Sequence, residues 1–138
     1  MVEEGQAETK VRLTVTDFEC SPEEITQILG ISPTETWLHG EPVLPKAKNV
    51  HHQNGWMIAS PCDPMKTNIS TQVGSLFSII EPHIEAFAKL PVGTCVELSC
   101  ILYVYDCRPV IGFSVDEVNM LARLGASIDV DFYDLREF

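Results

Sequence analysis

Thr94-Cys95-Val96-Glu97-Leu98-Ser99-Cys100-Ile101-Leu102-Tyr103-Val104 is the longest run in the chain rich in β-branched and aromatic residues, with Gly93 before it and Asp106 after. Such a composition between such bounds predicts a strand. Side chains alternate along a strand, so Val96, Leu98, Cys100, Leu102 and Val104 share one face and Cys95, Glu97, Ser99, Ile101 and Tyr103 the other. The first face is wholly apolar and has to be covered. The second is mixed and suits contact with water. That pattern places the run in the middle of an antiparallel sheet with helices on one side.

What covers it is written just upstream. Ile69, Val73, Leu76, Phe77, Ile80, Ile84, Phe87 and Ala88 recur at helical spacing behind Asn68, a good N-cap. Pro82 removes a backbone donor, so a kink or split is expected near Glu81, and Pro91 and Gly93 close the element. Downstream, Asp106-Cys107-Arg108-Pro109 reads as a hairpin turn and Val110–Phe113 as a returning strand. Ser114 and Glu117 spell a capping box for a helix that buries Val118, Leu121, Ala122 and Leu124 and stops at Gly125. The closing strand, 127–133, turns Ile128, Val130 and Phe132 inward and Asp129, Asp131 and Tyr133 outward.

The first half repeats these themes. Val11, Leu13 and Val15 alternate with Arg12, Thr14 and Thr16, a half-buried strand. Ser21-Pro22-Glu23-Glu24 opens a short helix with a capping box and a proline at the first helical position, Ile25, Ile28 and Leu29 are its apolar face, and Gly30 stops it. Thr36-Trp37-Leu38 starts a strand that Gly40, Pro42 and Pro45 break. Lys46, Lys48, His51, His52 and Asn54 make a locally basic loop, Gly55–Ser60 is another short strand, and Trp37 and Trp56 are expected to pack together. The order β-α-β-β-α-β-β-α-β predicts an α+β fold, a mostly antiparallel sheet with helices packed on one face.

A chain of 138 residues fits a single domain, 10–138, behind a polar tail at 1–9. The net charge of −11 argues against nucleic acid and against anionic membranes, and favours a basic protein partner if there is one. No apolar run approaches the roughly 20 residues a membrane helix needs, and the acidic start is unlike a signal peptide, so a cytoplasmic protein is expected. The five cysteines, Cys20, Cys62, Cys95, Cys100 and Cys107, are odd in number and form no C-x-x-C pair. Reduced, mostly buried thiols are the expectation.

Ser21-Pro22-Glu23-Glu24-Ile25-Thr26-Gln27-Ile28-Leu29-Gly30-Ile31-Ser32-Pro33-Thr34 is similar to the opening of a bacterial family catalogued as domain of unknown function 4279. The likeness continues through Gly40-Glu41, Gly55-Trp56, Glu81-Pro82, Val96–Cys100, Gly112-Phe113-Ser114 and Leu121–Tyr133, roughly residues 11–135. The family's closing aromatic stretch reads Asp-Ile-Tyr where this chain has Asp131-Phe132-Tyr133. The resemblance implies a shared fold and brings no activity with it.

Several side-chain groups are candidates for function. His39, His51, His52 and Cys62 offer imidazole and thiolate in one loop-rich unit, donors that suit zinc. Their spacing matches no zinc signature and His51 and His52 are adjacent, so a solvated loop competes, and no metal or cofactor is expected. Asp129 and Asp131 lie two apart on one strand face, about 6–7 Å from each other, fit for acid–base work or Mg²⁺, with Glu97 able to join from a neighbouring strand. An exposed strand face, or neutralisation by Arg12, is the plainer account. Cys100 faces the helices, where a thiol is inert, whereas Cys20 precedes a helix N-terminus, which lowers a thiol's pKa. No nucleophile elbow, P-loop or dinucleotide fingerprint occurs. Trp37, Leu38, His39 and Trp56, with Glu41, His51, His52 and the Pro-rich 41–50 loop, would make an aromatic binding rim, unless the tryptophans are core, the better reading for Trp56.

These readings converge on a binding or accessory module that recognises a protein partner through residues 36–56. By analogy alone, one version is neutralisation of a basic toxin. The alternative is a small hydrolase or metal-dependent enzyme using His39, His51 or the Asp129/Asp131 face. An exposed sheet edge leaves monomer and homodimer both open.

Overall fold

The computed structural model describes residues 7–45, 48–105 and 110–135. Through these the chain runs β1 (Ala7–Thr16), α1 (Pro22–Leu29), β2 (Glu35–Trp37), β3 (Gly55–Ala59), α2 (Ile69–Ile80), a 3₁₀ segment (Glu81–Lys89), β4 (Cys95–Val104), α3 (Val115–Leu124) and β5 (Ala126–Asp134). The strands form one sheet in the order β2-β3-β1-β4-β5. Neighbours pair antiparallel except β4 and β5, which run parallel. The fold is α+β with a mostly antiparallel sheet, as the pattern predicts.

Burial follows the alternation of β4. Val96, Leu98, Cys100, Leu102 and Val104 are all buried. Most of that row joins Val11, Leu13 and Val15 of β1 and Trp56 and Ile58 of β3 in one cluster with Ile25, Leu29, Ile69, Val73, Leu76, Phe77 and Ile80 from the helices. Gln72 is the polar member of the helix layer, and its buried side-chain amide donates to the carbonyls of Thr9 at 2.6 Å and Thr67 at 3.1 Å. A buried amide left unpaired would cost stability, and here it ties α2 to β1.

The caps are read correctly in the sequence. Asn68 accepts from the N–H of Thr71, and Ser114 and Glu117 close a reciprocal capping box. Ser21 accepts from the N–H of Glu24, which is half of the capping box expected there, and Gly30 and Gly125 end their helices at φ 70° and 66°. Pro82 splits the long apolar stripe as expected: α2 ends at Ile80 and 3₁₀ geometry takes over. With three residues per turn, Ile84 and Phe87 stack on the core side, and Ala88, expected in the stripe, is left exposed.

Other expectations need correction. β1 begins at Ala7, so residues 7–9, expected in the tail, are strand; the N–H of Thr9 donates to Pro64 at 2.8 Å. Val110–Phe113 is not a strand. A hairpin return would need a free side of β4, and both sides are taken, by β1 and by β5. Trp37 and Trp56 do not pack on each other. Trp37 pairs with Gly55 and Thr36 with Trp56, so the two indoles project from opposite faces. In α3, Leu121 and Leu124 are buried, but Val118 and Ala122 are exposed. Lys46, Cys107 and the turn expected at 106–109 lie outside the described residues.

Candidate functional site

Trp56 is wholly buried, and its Nε1 donates to Thr26 Oγ1 at 3.0 Å, which fastens β3 to α1. It is core and not a binding residue. Trp37 lies on the open face, where its ring occupies the space a Cβ at Gly55 would need. The ring stacks on His51, with centroids 5.0 Å apart. Only a glycine at 55 lets the indole lie flat on the sheet.

Residues 38–45 and 48–54 run as the two arms of a hairpin. Gly40 N–H donates to the His51 carbonyl and His51 N–H to the Glu41 carbonyl, each at 2.8 Å, and Val43 donates to Asn49 at 3.0 Å. Pro42 and Val50 form a bridge pair. The Glu41 carboxylate accepts from Leu38 N–H at 2.8 Å, and Asn54 Oδ1 accepts from His39 N–H at 2.8 Å while its amide donates to the Cys20 carbonyl. These bonds give Glu41 and Asn54 structural duties. His39 and His52 are exposed and His51 is half-buried. The sequence points to Leu38 in this loop but not to its other exposed apolar members: with Leu38, Val43, Leu44 and Val50 all face solvent.

The candidate metal donors are not brought together. Cys62 sits by α2, its Sγ 3.3 Å from Ser75 Oγ, within hydrogen-bond distance. Among the described residues, no three His, Cys, Asp or Glu side chains are close enough to hold a metal ion. Asp129 and Asp131 do share the open face, level with Ser99 and Ile101 of β4. Glu97 is on the adjacent strand but level with Ser127, and its carboxylate accepts from Ser99 Oγ at 3.0 Å. Among the described residues no ion pair joins Arg12 to either aspartate; the salt bridge of this face is Lys10–Glu8 at 3.5 Å.

The thiols differ from expectation. Cys100 is buried, Cys20 and Cys62 are half-buried and Cys95 is exposed. Burial raises the Cys20 pKa, and the Glu24 carboxylate, in the first turn of the very helix expected to lower it, raises it further. Burial pushes the Cys100 thiol up to about 11, with Asp129 adding to the rise. The Cys95 thiol donates to Asp17 Oδ2 at 3.0 Å and is held up by it. Cys62 alone among the described cysteines is lowered, by hydrogen bonds from Ser75 and then Ser60.

Away from all of these, an open cleft of about 400 Å³ lies between α2 and α3, lined by Phe77, Glu81, Asp116, Glu117, Met120 and Arg123 among others. The Glu117 carboxylate is committed to the α3 cap, and the Ser78 hydroxyl, also in the lining, donates to the Gly74 carbonyl at 2.9 Å.

A family model described as domain of unknown function, DUF4279, matches residues 7–135. The chain belongs to the DUF4279 family. The match takes in every element from β1 to β5, so the DUF4279 unit is this whole sheet with its helix layer. No curated protein and no solved structure matches the chain. No helix among the described residues is long and apolar enough to cross a membrane.

Proposed function

We propose that this DUF4279 protein is a protein-binding or accessory module of the cytoplasm. The observation that carries the reading is the hairpin formed by residues 38–45 and 48–54, whose arms are joined by backbone hydrogen bonds and yet turn Leu38, Val43, Leu44 and Val50 outward. An ordered loop with apolar side chains in water is what a recognition surface needs: little conformational entropy is lost on docking and apolar area is gained. The half-buried Trp37 and the exposed His39 flank it. The net charge of −11 favours a basic partner. A toxin neutralised by an acidic cognate protein is one such partner.

Affinity capture at low and high salt tests this, with wild type beside the Leu44→Asp, Val50→Asp double variant. The wild type is expected to retain a stoichiometric basic protein that salt releases and the variant does not hold. Retention by both would move recognition off the hairpin. If neither retains a partner, the rival enzyme reading takes precedence, and a thermal-shift screen of metals and small ligands follows.

A further inference from the structure

We propose that the outer edge of β5 accepts an extended segment of a partner protein in which apolar residues alternate with Lys or Arg. This surface lies at the opposite end of the sheet from the hairpin, and the inference does not depend on the hairpin's role.

β5 is the last strand of the sheet, and among the described residues no strand pairs with the outer side of its residues 127–133. Its hydrogen-bond phase is fixed by one contact. Leu135 N–H donates to the Val104 carbonyl at 2.8 Å, so odd-numbered residues in this stretch turn their backbone groups toward β4. Alternation then turns the N–H and C=O of Ile128, Val130 and Phe132 outward. The same residues carry the apolar face of the strand, and that face is poorly covered. Ile128 is 43% exposed, Val130 40% and Phe132 47%, whereas Leu98, Cys100 and Leu102, level with them on β4, are fully buried. The helix over this end, α3, sends Leu121 and Leu124 into the core and leaves Val118 52% exposed. Backbone donors, backbone acceptors and apolar side chains are thus presented together, the requirement for strand addition.

Charge selects the occupant. Asp129 and Asp131 stand exposed on the other face of the same strand. A second copy paired about Val130 would match Ile128 with Phe132 on the apolar face but set Asp129 against Asp131 twice on the other. Like charges directly opposite are destabilising, so the pattern guards against self-pairing. A segment with Lys or Arg at alternate positions meets the aspartates with opposite charge and the apolar face with apolar side chains. The net charge of −11 draws such a segment in from a distance.

The test uses synthetic labelled peptides of about ten residues, the length of an ordinary strand. One alternates Val with Lys, one has the same composition in two blocks, and one alternates Val with Glu. Fluorescence anisotropy measures binding to the full chain, and amide hydrogen exchange locates it. The Val/Lys peptide is expected to bind at least about tenfold more tightly than either control. It should slow exchange at Ile128, Val130 and Phe132, with affinity falling as salt rises. Val130→Pro removes one outward N–H without touching the β4 ladder, so it should keep the fold and lose the peptide. Should that variant fail to fold, Asp129→Asn with Asp131→Asn should weaken the Val/Lys peptide and flatten its salt dependence. Equal binding of the block or Glu peptide, protection elsewhere than β5, or unchanged affinity in the variants would overturn the proposal. So would sedimentation of the protein alone as a dimer that Val130→Pro dissociates, since β5 would then belong to a second copy.

Discussion

Gly55 and Trp37 show how much a single position can decide. A methyl group at 55 would meet the indole of Trp37, which in turn stacks on His51. Gly55→Ala should therefore lift the ring off the sheet at a cost of about 1–3 kcal/mol in unfolding, the usual range for overpacking. Tryptophan fluorescence should shift to the red; an unshifted spectrum would mean the ring has another resting place. The sequence shows both tryptophans but not their faces. One residue of register separates inside from outside, and register is set by the partner strand. Cys100 gives a prediction in pH. Its folded pKa of about 11 lies above the ordinary thiol value of 9.0, so its contribution is complete below pH 9 and is lost as pH rises through 11. Denaturant titration of wild type against Cys100→Ala should show the wild type losing about 2–3 kcal/mol more over that window. Parallel curves would show that the thiolate is accommodated. Among the described cysteines, Cys62, the lowered one, should be modified first near neutral pH relative to its exposure.

Elements were legible where their signals are local. The caps at Ser21, Asn68 and Ser114 and the break at Pro82 concern residues within one turn of each other, and each is found where the sequence puts it. The alternation of β4 was legible for the same reason. Val110–Phe113 was misread because apolar residues beside a turn look like a strand whether or not a sheet edge is free, and β4 has none to offer. The inward reading of Ile128, Val130 and Phe132 gave the right face but not its cover, because coverage depends on where α3 lies. Leu98→Ala should cost about 2–5 kcal/mol by denaturant unfolding, as expected for a leucine at the middle of the core. A loss under half of that would place the core's weight elsewhere. Truncation tests the first element. Removing residues 1–9 should cost about 1–3 kcal/mol more than removing 1–6, because Ala7, Glu8 and Thr9 pair with β4 and Thr9 also bonds Pro64 and Gln72. Equal melting temperatures for the two truncations would mean that β1 frays there.

At the level of the whole molecule, the single helix layer explains why the candidate sites were only half legible. Everything on the helix side of the inner strands is committed to packing. Exposed apolar side chains gather at the two ends of the sheet, where the hairpin and β5 lie, and the open face carries Glu97, Asp129 and Asp131. Composition identified the acidic character that bears on both ends but could not locate the ends. With a net charge of −11, self-repulsion should make stability rise with added salt, and the melting temperature should climb between low and physiological ionic strength. A flat response would mean that the carboxylates are spaced too widely to feel one another.

The pairing of β1 with β4 carries a consequence for how the chain comes into being. Ala7 pairs with Val104 and Thr16 with Cys95, so β1 finds its longest partnership only with a strand made much later in the chain. Until then β1 has the short rungs to β3, from Arg12 to Val15, and the Thr9 bonds to Pro64 and Gln72 to hold it. Contacts so distant along the chain make for slow folding, because loop entropy is lost before the strands reward it. A nascent chain stalled before residue 95 would leave β1 with an open edge on the side that β4 later fills, and this is the interval in which a chaperone would have most to do.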